Sequence, residues 1–274
     1  MEISMFGPLV IRGGGRLLGP GDLGGVKPRQ VLELLLLRRG HLVCTDVIAD
    51  ALWPEGEEPR NVVATLNTYV CVLRQNMFLD RVQARRVIVT GPGAYRLALD
   101  EVSVDLDRFD DLVLRAERAS RADRLRLLTA AVALASGTVL EHARYDEWVQ
   151  EERLIYADRT TRAHLDLARD WLAEGVLPTG LRHAELALGL APYSEEAFRL
   201  IMLANHGLGH HDIVRRTFDR CRATLDRDLG VACRPETEEM ARAIDAHLPV
   251  AAIIARFYPP STARIPVTRA RSVA

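Results

Sequence analysis

The sequence predicts an α+β domain of about 100 residues, followed by an all-α helical bundle. Short apolar runs, separated by glycine and proline and mixed with three helical patterns, fill residues 1–100. After Asp100 almost every segment has the apolar period of an amphipathic helix. The length of 274 residues suits two domains, and 48% hydrophobic with 27% charged residues excludes a chain that is disordered throughout.

Two features of the composition lead us to expect a cytoplasmic protein. The chain has no run of about 18 apolar residues that could cross a membrane, and its start lacks the features of a signal peptide. Its four cysteines are scattered and form no Cys-x-x-Cys pair. We therefore expect reduced, mostly packed thiols and no disulfide framework.

The first domain begins with short strands in MEISMFGPLVI and with turns in the glycine-rich segment that follows. A first helix is predicted from about Pro28 to Arg39, because apolar residues recur at helical spacing and proline suits a first helical position. The run HLVC predicts a short strand. A second helix is predicted to start at a cap formed by Thr45 or Asp46 and to end before Pro54.

A third helix is predicted after a cap at Asn61, with an apolar stripe formed by Leu66, Val70, Leu73 and Met77. At about 100° per residue, the side opposite this stripe is small and polar. The residues predicted to point there are Asn61, Thr65, Thr68, Cys71, Val72 and Gln75. Short side chains of this kind allow a helix to approach base edges in a DNA major groove.

A basic hairpin is predicted beside this helix, because Gly-Pro-Gly joins the alternating runs RRVIVT and AYRLAL. The net charge of the chain is −1, yet residues 60–100 carry six arginines and only two acidic residues. The arginines near the third helix or on the hairpin are Arg60, Arg74, Arg85, Arg86 and Arg96. Three helices and a basic hairpin are typical of a winged helix-turn-helix domain that binds DNA. The alternative is a small α+β domain with a solvated helix.

The remainder of the chain predicts a helical bundle at residues 104–248. The amphipathic segments run from Leu106 to Ala119, Arg121 to Ala135, Glu147 to Gly175, Gly180 to Leu190, Glu195 to Leu208, Asp212 to Leu229 and Glu236 to His247. Gly175 and Gly209 lie 34 residues apart, and the same offset aligns Leu167 with Ile201. A period of about 34 is that of tetratricopeptide (TPR) helix pairs, so we predict a TPR-like bundle.

The last segment, residues 249–274, has four arginines and no acidic residue. We interpret it as a basic, disordered tail, because chain termini are usually poorly ordered unless something docks them. A functional basic arm is the alternative.

No segment predicts catalysis, a cofactor or a metal site. His206, His210 and His211 include a pair at i, i+4, but no carboxylate or cysteine stands at a matching offset. No serine or cysteine lies in a nucleophile motif, and the paired carboxylates are typical of solvated helix surfaces. We expect a binding protein and not an enzyme.

Three strings resemble, in order and spacing, the DNA-binding half of the SARP family, the Streptomyces antibiotic regulatory proteins. They are KPRQVLELLLLRRGHLV, VIADALWPEGEEPRNVVATLNTYVCVLRQ and TGPGAYRLALDEVSVDLDRFDDLV. The rest of the chain is similar to the bacterial transcriptional activation domain of that family, so the resemblance covers residues 1–248. It implies an OmpR-like winged helix at residues 1–100, then the TPR-like domain, and an activator of a secondary-metabolite gene cluster.

The resemblance also implies roles for particular residues. On or beside the recognition helix it places Arg60, Asn61, Thr65, Thr68 and Arg74. At the start of the first helix and on the wing it places Lys27, Arg29, Tyr95 and Arg96. The acidic loop of Glu55, Glu57 and Glu58 matches the segment through which OmpR-like activators contact RNA polymerase.

Members of the family bind direct repeats near the −35 element as head-to-tail dimers and recruit RNA polymerase through its sigma factor. The resemblance therefore implies double-stranded DNA and RNA polymerase as partners, a homodimer on DNA, a nucleoid-associated location and no membrane partner.

Two departures from the family pattern qualify these expectations. Cys71 and Val72 stand where many members have Ser-Arg, and Asn67 replaces a common glutamine. Val72 is expected either to contact a thymine methyl group or to leave DNA binding weaker than in relatives. The alternative function is a TPR-like scaffold or sensor that binds a ligand or partner and has weak or lost DNA binding.

Overall fold

The computed structural model describes residues 1–78, 80–143 and 147–259. The chain divides into two compact units, Met1–Ala163 (unit one) and His164–Ala274 (unit two). The predicted class, an α+β winged helix-turn-helix domain followed by an all-α TPR-like helical bundle, is confirmed.

Unit one contains two small sheets. The strands of the first are β1 (Glu2–Ser4), β2 (Val10–Gly13), β3 (Arg16–Leu18) and β7 (Ser103–Val104). Their order is β3-β2-β1-β7, and only the pairing of β1 with β7 is parallel. The second sheet is antiparallel and consists of β4 (Val43–Cys44), β5 (Ile88–Gly91) and β6 (Ala94–Leu97), in the order β4-β6-β5. The predicted hairpin is present as β5 and β6, with Thr90 opposite Tyr95.

Four helices accompany these sheets, with a short 3-10 helix at Pro20–Asp22 before the first. They are α1 (Val26–Leu37), α2 (Thr45–Leu52), α3 (Val62–Met77) and α4 (Arg81–Val87). The three predicted helices correspond to α1, α2 and α3. Cys44, and not Thr45 or Asp46, occupies the N-cap position of α2, since Thr45 is already the first helical residue.

The prediction that RRVIVT is a strand was wrong over its first half, which belongs to α4. The Asp80 carboxylate caps this helix by accepting hydrogen bonds from the backbone N–H groups of Val82 and Gln83 at 2.9 and 3.4 Å. Arg85 and Arg86 therefore lie in the last turn of α4 and not on the hairpin. Arginine and alanine favour helix, and the β-branched run takes over only at Ile88.

Unit one extends past the predicted domain boundary at residue 100 because three further helices share its core. These are α5 (Asp105–Ala116), α6 (Arg121–Leu134) and the first part of α7 (Glu147–Ala173). Phe6, Phe109 and Tyr156 form an aromatic cluster with ring centroids 5.4 to 5.8 Å apart. The buried Asp105 carboxylate accepts hydrogen bonds from the backbone N–H groups of Met5 and Phe6 at 2.8 to 3.0 Å. This carboxylate fastens the first sheet to the start of α5.

The described part of unit two, residues 164–259, contains the rest of α7 and five more helices. They are α8 (Leu177–Leu190), α9 (Glu195–Gly207), α10 (His211–Leu229), α11 (Pro235–Asp245) and α12 (Val250–Phe257). α8 and α7 pack closely at Gly180, where a β-carbon would lie 2.7 Å from the Leu172 side chain. Each predicted helix of the bundle is present within about three residues of its predicted ends.

α12 was not predicted, because residues 249–274 were interpreted as a disordered basic tail. Its apolar residues recur at helical spacing, and Ile253 is completely buried. The remainder of the predicted tail, residues 260–274, lies outside the described residues. Within the described ranges, no helix has both the length and the apolar character needed to cross a membrane.

Candidate nucleic-acid interface

α3 is positioned by its buried stripe and by its N-cap. Asn61 is the predicted cap, and its side-chain oxygen accepts a hydrogen bond from the backbone N–H of Ala64 at 2.9 Å. The stripe of Leu66, Val70, Leu73 and Met77 is buried, as the helical spacing predicted. With one side held in the core, the opposite side of the helix faces outward.

The outward face of α3 consists of short side chains. Its exposed residues opposite the buried stripe are Asn61, Ala64, Thr68, Cys71 and Gln75. We call these five residues the α3 outer face. The Thr68 hydroxyl donates a hydrogen bond to the Ala64 carbonyl at 3.0 Å, which leaves its lone pairs as acceptors. No side chain on this face is long enough to hold the helix backbone away from a groove.

Thr65 and Val72, both predicted to point outward, lie at the edge of this face and are half-buried. The Thr65 hydroxyl donates to the Asn61 carbonyl at 3.0 Å. The Val72 side chain packs against the segment before α1, where a β-carbon on Gly24 would collide with it. Gly24 has a φ of +83°, so glycine suits this position both by its space and by its backbone conformation. The expectation that Val72 reads a thymine methyl group does not fit this packing.

Arg74 and Tyr95, which were predicted to contact DNA, connect α3 to the hairpin. The Arg74 guanidinium donates hydrogen bonds to the Ile88 carbonyl and, at 2.9 Å, to the Thr90 hydroxyl. The pKa of Arg74 is lowered, mainly because the side chain is partly buried and also because the positive charge of Arg85 is nearby. Tyr95 is only 2% exposed. Its hydroxyl donates to Asn67 Oδ1 at 2.7 Å, and this bond orients the exposed Asn67 amide.

Lys27 and Arg29 at the start of α1 are also engaged within unit one. The Lys27 ammonium donates to the Leu52 carbonyl and lies 5.9 Å from the centre of the Trp53 ring. Arg29 forms an ion pair with the buried Glu33 at 3.2 Å, and its side chain is 17% exposed. The sequence showed that these two residues are charged, but it did not show which groups inside the protein they contact.

Four exposed arginines and one half-buried arginine lie at three places near α3. Arg60 precedes the N-cap of the helix, whereas Arg81, Arg85 and Arg86 lie on α4. Arg96 is half-buried on β6, opposite Val89 of β5. Arg81 was not among the predicted site residues; the N-cap at Asp80 makes it the first residue of α4.

The acidic loop between α2 and α3 is exposed as predicted. Glu55, Glu57 and Glu58 all face solvent. The loop is held at its start, where the Trp53 ring stacks on Tyr69 of α3 with centroids 6.3 Å apart. The three carboxylates therefore lie beside the N-terminus of α3, in a loop whose start is held against that helix.

Comparison with known proteins identifies the second part of the chain. The family described as "Bacterial transcriptional activator domain" matches residues 104–245, which is more than half of the sequence. The chain belongs to the SARP family of transcriptional activators. The finding confirms the resemblance that was stated from the sequence.

Individual SARP relatives match nearly the whole chain. The transcriptional regulatory protein MoaR1 of Mycobacterium tuberculosis is 28% identical over 93% of this chain and 83% of its own length. The regulatory protein DnrI of Streptomyces peucetius is 29% identical over 89% of this chain and 92% of its own length. A solved structure of Mycobacterium tuberculosis EmbR, in complex with a low-affinity phosphopeptide, superposes with a TM-score of 0.81 at 25% identity. That alignment covers 93% of this chain and 68% of the EmbR chain.

Proposed function

We propose that this SARP regulator activates transcription by inserting α3 into the major groove of promoter DNA. The observation that carries the proposal is the α3 outer face, which is short, polar and exposed, with exposed arginines at its flanks. Within this proposal the winged part, residues 1–100, binds DNA and residues 104–248 form the activation domain. No residue has a catalytic role, and no cofactor is needed.

The side chains divide into two roles within this interface. Asn61, Thr68 and Gln75, with the amide of Asn67, offer donors and acceptors to base edges. Phosphate contacts are assigned to the exposed Arg60, Arg81, Arg85 and Arg86 and to the half-buried Arg96. These phosphate contacts supply most of the affinity and make it steeply dependent on salt.

The remaining predicted site residues are assigned supporting roles. Arg74, Tyr95, Lys27, Arg29, Thr65 and Val72 hold α3, the hairpin and α1 in position through the contacts described above. Substitution of these residues is expected to act on DNA binding through the stability or geometry of the winged part, since each of them already has contacts inside the protein.

The acidic loop of Glu55, Glu57 and Glu58 is proposed to contact RNA polymerase, including its sigma factor. One winged helix covers a small stretch of DNA, so two copies bound head to tail on direct repeats near the −35 element would multiply the affinity. The regulated genes are proposed to be a secondary-metabolite cluster.

The DNA-binding proposal is tested by salt-dependent retention on genomic fragments, followed by footprinting of the retained sites. The triple variant Arg60→Ala, Arg85→Ala, Arg86→Ala is expected to lose binding and to lower the salt slope by about one per phosphate contact removed. Its control, Arg115→Ala, Arg118→Ala, Arg126→Ala, removes the same charge from exposed positions on α5, on α6 and in the turn between them, and is expected to bind normally. Equal binding by the two variants would contradict the proposal.

The same footprinted promoter tests the loop by a separate readout. Glu55→Gln, Glu57→Gln, Glu58→Gln is expected to keep DNA binding and to lose most promoter-driven transcription. Unchanged transcription would remove polymerase contact from this loop. If the intact chain showed no salt-dependent DNA retention, the scaffold or sensor function would replace the activator proposal.

A further inference from the structure

Unit two brings together three metal-binding side chains that are far apart in the sequence. Glu195 is the first residue of α9, Cys221 lies on α10, and Cys233 lies in the segment between α10 and α11. One carboxylate oxygen and the two Sγ atoms all lie within 4.8 Å of one another. This is the one such cluster of three ligands among the described residues.

The spacing of the sulfurs suits a tetrahedral metal ion. The two Sγ atoms are 3.8 Å apart. A zinc ion bonds thiolate sulfur at about 2.3 Å, so two sulfurs on one zinc tetrahedron stand about 3.8 Å apart. The same two cysteines therefore need no movement relative to each other to share a metal ion of this class.

The Glu195 carboxylate is oriented by a second layer of hydrogen bonds. Its Oε2 atom accepts from the Thr237 hydroxyl at 2.6 Å and from the Arg234 backbone N–H at 2.8 Å. Thr237 is completely buried and in turn accepts a hydrogen bond from Arg199 at 2.9 Å. Such outer partners fix the direction of a metal-binding carboxylate and are usual around metal sites in proteins. The other oxygen, Oε1, lies 3.7 Å from Nε of Arg234.

Charge in and around the cluster is also compatible with a bound dication. Two thiolates and one carboxylate around a dication carry a net charge of −1, and the guanidiniums of Arg199 and Arg234 lie beside them. Cys221 is completely buried, whereas Cys233 is half-buried and gives a route of entry from solvent.

We propose that Glu195, Cys221 and Cys233 form a binding site for a zinc-class divalent cation, with water as the fourth ligand. Binding replaces the two thiol protons: one dication enters, two S–H bonds become metal–thiolate bonds, and two protons leave to solvent. The ion would fasten the start of α9 to the C-terminal part of α10 and to the segment that leads into α11.

Cobalt(II) is the probe for this site, because thiolate ligation gives it a charge-transfer absorption in the near ultraviolet. The full chain is used under reducing conditions in a Cys44→Ser, Cys71→Ser background, which removes the two exposed thiols. One cobalt ion per chain is expected to bind with this absorption and to be displaced by zinc. Because two protons are released, the affinity is expected to fall about a hundredfold per pH unit on acidification.

Variants in the same background locate the ligands. Cys233→Ser is expected to lose at least tenfold in affinity and to show a weaker sulfur absorption, because only the Cys221 thiolate remains. Glu195→Gln is expected to lose affinity while its amide oxygen keeps the hydrogen bonds to Thr237 and Arg234. Glu196→Gln, at the neighbouring position, is the control and is expected to bind normally. Circular dichroism establishes that each variant is folded.

Three outcomes would overturn the proposal. They are an absent thiolate absorption in the folded background chain, a cobalt affinity that Cys233→Ser and Glu195→Gln leave unchanged, and a metal-free disulfide between Cys221 and Cys233 in freshly prepared protein. The last of these would show that the pair serves as a covalent cross-link instead.

Discussion

α3 of unit one and α9 of unit two differ in how many of their sides the protein covers. α9 has 13 residues, and eight of them are buried, including the continuous run from Leu200 to Asn205. α3 is longer, with 16 residues, but only the four residues of its stripe are buried. A helix that is covered on most sides serves the core, whereas one with a single buried stripe keeps a surface for a partner. The amount of coverage therefore separates the structural helix from the candidate recognition helix.

The largest effect is expected from a substitution that leaves a cavity beside α9. Phe198 is completely buried, so Phe198→Ala should lower the free energy of unfolding of unit two by about 3–5 kcal/mol. The matched change on the α3 outer face, Thr68→Ala, should alter stability by no more than about 0.5 kcal/mol. Urea unfolding followed by circular dichroism measures both. Similar costs for the two variants would contradict the contrast between the helices.

An intermediate effect is expected from pH, and it distinguishes the two units because the histidine pair responsible lies in unit two. His164 and His183 face each other with their Nδ1 atoms 3.0 Å apart. Burial, and then the charge of His183, lowers the pKa of His164 from 6.5 to about 4. Burial likewise lowers the pKa of His183.

The sign of this pH effect follows from the protons bound in each state. Between pH 6.5 and about 4 the unfolded chain binds more protons at His164 than the folded chain does. The contribution of His164 to stability is therefore complete above pH 6.5 and is lost as the pH falls, by at most about 1.4 kcal/mol per pH unit. Urea unfolding between pH 7 and 5 measures it, and His164→Asn should flatten the dependence. An equally steep dependence in the variant would assign the effect to other groups.

The smallest effect separates the two roles of arginine near α3. Arg74→Ala removes the hydrogen bonds to Ile88 and Thr90, so it should cost about 1 kcal/mol of stability. Arg85→Ala removes an exposed side chain and should leave stability nearly unchanged, while weakening DNA retention at low salt. If Arg74→Ala left stability unchanged and weakened DNA binding as much as Arg85→Ala, Arg74 would be a phosphate contact after all.

The sequence predicted elements best where one local signal decided them. The Asn61 cap and the stripe of α3 depend on neighbouring residues in one helix, and both are present in the structure. α4 and α12 were missed. At α4 the sequence carries two opposed signals, a helix cap at Asp80 and a β-branched run that favours a strand. At α12 the helical spacing of the apolar residues lies in a segment whose basic composition suggested a disordered tail.

The sequence predicts which side of α3 is exposed, and the DNA contacts of the individual residues stay predictions. Exposure of the α3 outer face follows from the helical period, since the buried stripe determines which side remains. The helical period does not show which cations have partners inside the protein and which remain exposed. The family resemblance implied DNA contacts for Lys27, Arg29 and Arg74, and each of the three has a partner inside unit one. Those partners are brought close by the packing of separate elements.

The sequence by itself determined the order of the elements, the amphipathic faces and the family, because these depend on residue types and on spacing along the chain. Only the tertiary structure decided which arginines remain exposed, which side chains hold the recognition helix in place, and that Glu195 meets Cys221 and Cys233. The physical reason is range: periodicity and capping act over a few residues, whereas hydrogen bonds, ion pairs and metal sites join atoms whose distance in space is unrelated to their separation in sequence.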